Sequence, residues 1–160
     1  MPALLANTAS ENTACGAGVL LTNTTGGLNT ANGGFALFAN TEVSYNTAVG
    51  DRALFHNMTG DGNTAIGDLA LSNNTAGRHN TVFGRTGGSN VTTASNVICI
   101  GNIAGENVTN SCYIGNIFGK TSVNGIPVFV NASHQLGTTT SSKRFRGDQT
   151  WTAPAKRSWR

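Results

Sequence analysis

The sequence predicts an all-β chain wound as a parallel β-solenoid, a β-roll with 17-residue coils. Three observations carry this reading. Glycine recurs at Gly16, Gly33, Gly50, Gly67, Gly84 and Gly101, always 17 residues apart, and Gly115 follows after 14. The stretch "NTAVGDRAL" at 46–54 returns as "NTAIGDLAL" at 63–71. Thr, Gly and Asn together fill 63 of 160 positions, while charged residues make up only 11%. Disorder favours high charge and few β-branched residues, so this composition reads instead as short strands joined by turns. A fixed period over many units marks a repeat architecture, and this one is too short for helical hairpins or leucine-rich repeats.

Each coil opens on an asparagine followed by threonine, at Asn12, Asn29, Asn46, Asn63 and Asn80. In "NTAVG" at 46–50, strand alternation turns Asn46, Ala48 and Gly50 one way and Thr47 and Val49 the other. Coils stacked about 4.8 Å apart turn every position into a column along the axis. The column before the glycine reads Cys15, Asn32, Val49, Ile66, Phe83, Ile100 and Ile114, varied and mostly apolar, as a packed surface would be. The column two before it begins Ala14, Ala31, Ala48 and Ala65, which marks a tight side. The glycine supplies close approach or a positive φ at the bend.

Downstream come Leu20, Leu37, Leu54 and Leu71, then Asn23, Asn40, Asn57 and Asn74. Stacked asparagines are expected to hydrogen-bond as ladders along the axis. One coil should contain two short strands and two turns, and be thin enough that Ala, Val and Ile dominate its inside. The leucine column stops at Leu71, and its next places are Gly88, Gly105 and Gly119. A change of cross-section near 85–90 and a smaller last coil are therefore expected. "MPALLANTAS" at 1–10 reads as a repeat already under way, with no evident cap. A thin roll buries little apolar surface, so rolls are expected to associate side by side through the second apolar column, as part of something longer.

The net charge of +3 divides unevenly. Residues 1–142 hold four basic and six acidic side chains, for −2, and residues 143–160 hold six basic and one acidic, for +5. Such a tail can suggest nucleic acid, but no nucleic-acid partner is expected. No run of about 18 apolar residues is present, so no membrane insertion by this chain is expected. The N-terminus lacks the basic region of a signal peptide, so any export or attachment signal would lie outside this chain. Cys15, Cys99 and Cys112 fit neither a disulfide framework nor a metal motif and read as small buried residues.

Chemistry-bearing residues are sparse. Asp51 and Asp68 follow equivalent glycines and should stack about 5 Å apart, a spacing that suits a retaining glycosidase but more simply describes two solvated turn residues. The same column holds Ala17, Gly34 and Arg85, and no aromatic sugar platform is evident beside it. His56 and His79 have no repeating partner, and no cofactor or metal is expected. A threonine column, Thr13, Thr30, Thr47, Thr64 and Thr81, raises an ice-binding or ligand-binding alternative, although only one Thr recurs in each strand. Asn-x-Ser/Thr sequons such as those at Asn57 and Asn107 follow from the richness in Asn and Thr.

The motif at 46–54, repeated over roughly 12–119, resembles the head repeats of YadA-like trimeric autotransporter adhesins. The turns "NTTGG" at 23–27 and "NMTGD" at 57–61 are similar to variants in bacterial surface and phage-fibre proteins. The resemblance implies a left-handed roll and a homotrimer in which three chains supply one another's missing surface. It also implies an extracellular, cell-surface or virion location and attachment to a host surface or extracellular ligand.

"PVFVNASHQLGTTTSSKRFR" at 127–146 resembles the junction leading into the intramolecular chaperone domain of peptidase S74, which ends phage tail fibres and tailspikes. It implies a roll domain over 1–119, a β-hairpin or neck over 120–140, and the truncated start of such a chaperone over 141–160. That family cuts itself with a Ser nucleophile and a Lys base in a Ser-Asp-x-Arg-x-Lys motif. Here Ser141 and Arg144 match, Ser142 replaces the Asp, and Arg146 replaces the Lys. Arginine stays protonated and cannot serve as the base, so Ser141 and Arg146 read as a vestige and the chain as no enzyme. A remnant of a self-cleaving tailspike-type protein is the corresponding alternative. The family continues with a stretch similar to Met-Asp-x-Ala-Ser-Glu-Ala-Ile-Leu-Ala. Suitable codons for it, read one base out of frame, give residues 151–160, so the tail reads as a frameshifted remnant, which the nucleotide sequence tests.

Overall fold

A computed structural model describes residues 1–118, 125 and 127–138. The chain divides into two units, Met1–Gly119 and Lys120–Arg160. Ser141, Arg146, Gly119, the basic tail and the expected chaperone start lie outside the described residues.

All regular structure among the described residues is β. In the first unit, β1 (Thr13–Cys15), β2 (Thr30–Asn32), β3 (Thr47–Val49), β4 (Thr64–Ile66), β5 (Thr81–Phe83), β6 (Val97–Ile100) and β7 (Ser111–Ile114) form one parallel sheet in sequence order. The register follows the glycine period. Thr13 pairs with Thr30, Thr47 with Thr64, and Thr81 with Ile98, each 17 residues on. Ile98 pairs with Cys112, 14 residues on, so the last step is the smaller coil that the spacing predicts. In the second unit β8 (Val128–Val130) and β9 (Leu136–Thr138) form an antiparallel hairpin.

Alternation places the core. Ala31, Ala48, Ala65 and Val82, the central residues of β2 to β5, are fully buried. Asn29, Asn46, Asn63 and Asn80 are buried beside them, while Thr47 and Val49 point outward. The interior is completed by Ala36, Ala53 and Ala70 and by Leu20, Leu37, Leu54 and Leu71. Of the expected Ala, Val and Ile, alanine and valine do make up most of the buried apolar residues, while isoleucine does not contribute. The isoleucines Ile66, Ile100 and Ile114 lie outside, and the large side chain within the coils up to Leu71 is a leucine held at the corner.

Each coil also carries one strand, where two are expected from sequence. The opposite side advances through residues in the left-handed region, among them Phe35 (φ 56°), Leu37 (φ 51°), Arg52 (φ 50°) and Leu54 (φ 52°). That conformation breaks the pleat and costs roughly 1–2 kcal/mol per non-glycine residue. It is compensated by coil-to-coil hydrogen bonds at the same place, such as Leu37 N to Ala53 O (3.0 Å) and Leu54 N to Ala70 O (3.0 Å). The repeat glycine answers a stricter demand. Gly50 has φ +134°, and a Cβ there would lie 2.4 Å from the carbonyl oxygen of Gly67. Only glycine allows the coils to approach so closely.

Two asparagine ladders run through the interior. In the first, the backbone N–H of Asn46 donates to Oδ1 of Asn29 and that of Asn63 to Oδ1 of Asn46, both at 3.0 Å. In the second, Asn40 Nδ2 donates to Asn23 Oδ1 (2.8 Å) and to Val43 O (3.0 Å), and Asn74 Nδ2 donates to Asn57 Oδ1 (2.9 Å). These bonds satisfy turn carbonyls that would otherwise be buried unpaired. The second ladder begins earlier than Asn23, because Asn7 Oδ1 accepts from Asn23 Nδ2 at 2.6 Å, and Leu4 packs against the core ahead of Leu20.

The cross-section changes where the leucines end, and compensating substitutions achieve it. Ala65 and Ala70 become Val82 and Gly87, while Leu71 and Asn74 become Gly88 and Val91. A Cβ on Gly87 would meet Val82 Cγ1 at 2.8 Å, and one on Gly88 would meet Leu71 Cδ2 at 3.0 Å. Volume thus leaves one column and enters its neighbour. In the shortened last coil, Asn107 Oδ1 accepts the backbone N–H groups of Thr92, Thr93 and Ala94 at 3.0, 2.9 and 2.8 Å. It takes the part that backbone carbonyls such as Thr41 O play earlier.

Candidate functional site

The feature of the solenoid with most capacity to act is the outward face of its sheet. Two columns form it, one starting at Thr13 and the other at Cys15, because alternate strand residues point away from the core. Along the axis the face changes character. It begins with Thr13 and Cys15, then Thr30 and Asn32, passes through Thr47 with Val49 and Thr64 with Ile66, and ends in Thr81 with Phe83, Ile98 with Ile100, and Cys112 with Ile114. No position on it is charged. Ile66, Phe83, Ile98, Ile100 and Ile114 are between 38% and 44% exposed, so a neutral apolar strip is open along β4–β7. Contiguous exposed apolar surface of this kind is the ordinary mark of an interaction site.

The column that sequence reading assigns to packing is therefore the one that faces out. What distinguishes the two sides is the alanine column, tight because it is inside. The threonine column is outward too, but its strand neighbours are Cys15, Asn32, Val49, Ile66 and Phe83, so paired threonines do not form.

The charged residues do not converge on a reaction centre. Arg85 Nε donates to Asp68 Oδ2 at 3.1 Å, Arg78 Nε lies 3.1 Å from Asp61 Oδ1, and Arg52 Nε lies 4.0 Å from Asp51 Oδ2. Asp51 and Asp68 thus each face an arginine, and exposed pairs of this kind contribute on the order of 0–1 kcal/mol. The Nδ1 of His56 lies 2.9 Å from Ser72 O, whereas His79 rests over Gly62, in another part of the coil. No group of three metal-ligating side chains occurs among the described residues. Asn57 is fully buried with its amide engaged in the ladder.

Cys99 is the buried cysteine, whereas Cys15 and Cys112 are exposed on the outward face, which corrects the expectation for those two. Burial pushes the Cys99 thiol above its ordinary value of 9.0, the neighbouring Cys112 raises it further, and a hydrogen bond from the Gly88 backbone opposes both.

An aromatic group escaped sequence reading. Phe38 stacks on Phe55 with centroids 5.1 Å apart, Phe35 meets Phe38 edge-on at 5.9 Å, and Phe55 meets His56 edge-on at 4.7 Å. The signal was present, since Phe38 and Phe55 are one period apart. Rings stacked at the coil spacing brace neighbouring turns.

No helix among the described residues is long and apolar enough to cross a membrane. Compared with known protein families, curated proteins and solved structures, the chain matches none.

Proposed function

We propose that this chain is a structural and binding segment of a homotrimeric fibre, built as a left-handed β-roll, that mediates attachment outside the cell as part of a surface adhesin or a phage-type tail fibre. One observation carries the reading: the charge-free outward sheet face, whose exposed apolar content rises toward Ile100 and Ile114. Such a face is complementary to itself. It offers nothing to an oppositely charged partner and excludes water well against an identical neighbour. Three parallel copies turning this face toward a common axis would bury it along the length of the sheet. The resemblance of the repeats to adhesin heads, and of residues 127–146 to a fibre junction, supports the same assembly.

The other sides of each coil, which carry the arginine and aspartate columns, remain available for a host surface or extracellular ligand. The chain has no catalytic part in this reading, and it needs no cofactor. Substituting both Ile66 and Ile100 by Asp tests the proposal. The two side chains are part-exposed and lie two coils apart, so the added charges do not stack on each other, and the double variant is expected to run as a monomer with an unaltered circular dichroism spectrum. Asn73→Asp, a single charge on another side of the coil, is expected to leave the assembly intact. A double variant that assembles like the parent chain would contradict the proposal.

A further inference from the structure

We infer that the hairpin β8–β9 is an intermolecular clamp, whose occupant is the same hairpin of the other copies in the fibre. The inference rests on the trimeric reading above and adds to it a second, separate contact. Register and alternation place Val128 on the face of Val130 and its cross-strand partner Leu136, and Phe129 on the other face, opposite Gly137. All four apolar side chains are between 54% and 71% exposed. Both faces of the hairpin are thus apolar and bare.

The turn, in contrast, is complete. Asn131 Oδ1 accepts the backbone N–H groups of Ser133 and Gln135, each at 2.9 Å, and Asn131 Nδ2 donates to Gln135 Oε1 at 3.0 Å. His134 takes a left-handed φ of 59°, and its N–H donates to Asn131 O at 3.0 Å. A finished turn holds two strands in register, but a lone two-stranded hairpin is at best marginally stable in water. It needs further strands or a cover on its apolar face.

Several features point to another copy as that cover. No Lys, Arg, Asp or Glu occurs in 127–138, so the hairpin carries no formal charge with which to select a charged partner. Gly137, directly across from Phe129, offers the ring no side chain on the facing strand to pack against. Copies held together by the solenoid face also bring their hairpins to one another. Residues 115–127 tether each hairpin to β7, which sets an effective concentration on the order of millimolar for hairpin contact. A weak apolar contact is enough at that concentration.

The test compares the full chain with the double variant Phe129→Asp, Val130→Asp, one charge on each face, and with the turn variant Gln135→Glu as control. Mass is followed by light scattering through a dilution series. The double variant is expected to dissociate at a concentration at least about 30-fold above that of the parent, and the control at the parent's concentration. Amide hydrogen exchange in the parent chain gives a second readout that needs no variant. The amides of β8 and β9 are expected to be protected in the assembled chain and to lose that protection on dilution to monomer. A parent chain that assembles while the double variant dissociates at the same concentration, or whose hairpin amides exchange equally in both states, would overturn the clamp and leave the trimer standing. A parent chain that is monomeric throughout would instead overturn the trimer itself.

Discussion

Asn74 Oδ1 is buried without a hydrogen-bond partner because Val91 occupies the next place in its ladder. From Asn23 onward each asparagine of that column reaches back with its amide to its predecessor: Asn23 to Asn7, Asn40 to Asn23, Asn57 to Asn40 and Asn74 to Asn57. The Val91 side chain donates nothing but adds apolar volume to the interior, where a Cβ on Gly105 would meet its Cγ2 at 3.4 Å. The coil gives up one hydrogen bond and keeps its core filled.

Residues 82 and 88 should likewise be coupled, because a Cβ on Gly88 would meet Val82 Cγ2 at 3.1 Å. Val82→Ala alone leaves a void and is expected to destabilise by about 1–3 kcal/mol. Gly88→Leu alone overfills the same corner. Combined, the two restore the pattern of Ala65 and Leu71, and the double variant is expected to lose less stability than the sum of the singles. Urea unfolding of the four proteins measures the coupling, and strict additivity would contradict it.

Breaking a ladder in its middle should be worse than ending it. Asn57 Nδ2 donates to Gly60 O at 2.7 Å and Oδ1 accepts from Asn74 Nδ2 at 2.9 Å, all in the interior. Asn57→Ala strands both partners, and at about 1–3 kcal/mol for each group the loss is expected to be on the order of 2–6 kcal/mol. An exposed ladder-like residue such as Asn73 should tolerate alanine with a change within about 0.5 kcal/mol. Equal urea midpoints for the two variants would remove the ladders from the account of stability.

The period glycines are not equivalent. Gly50→Ala places a Cβ 2.4 Å from Gly67 O, at φ +134°, whereas a Cβ on Gly101, at φ +93°, would meet nothing closer than 3.6 Å. Both substitutions incur backbone strain of about 1–3 kcal/mol, and only the first adds a clash with the next coil. Gly50→Ala is expected to lower the thermal midpoint clearly more than Gly101→Ala.

The three cysteines should separate by environment. Cys99 is buried with its thiol pushed up, so it is expected to react with a thiol alkylator only when the chain unfolds. Cys15 and Cys112 lie on the outward face and should react readily in a monomer and slowly in the assembly. The pH dependence follows in sign. The folded state holds the Cys99 proton more tightly than the unfolded one, so its contribution is fully present below the ordinary value of 9.0. It is lost as pH rises through the elevated folded value. Stability is expected to fall over that alkaline range in the parent chain and to fall less in Cys99→Ala.

The sequence disclosed the columns because a period of 17 places chemically alike residues over one another. The coil-to-coil neighbours of Gly50, Ala48, Asn46 and Leu54 therefore follow from the period alone. It disclosed the end of the leucine column as well, although the crowding of Gly88 by Leu71 and Val82 needed the structure. What it hid was direction and backbone shape. Ile66 and Leu54 are equally apolar, and only the left-handed residues along one side of the coil decide that the leucine turns in. Nothing in the chemistry of Leu37, Phe35 or Arg52 announces a positive φ, since each is held there by the coil above and below. The outward strip was legible as residues but not as a surface for the same reason.

The measurement that tests this account most directly is the mass of the purified full chain in solution by light scattering. The account predicts a value near three times the chain mass of 16.5 kDa, with β4–β7 turned toward the axis. A well-folded species of 16.5 kDa at all concentrations would contradict it, and would leave a self-sufficient solenoid whose apolar strip is open to water.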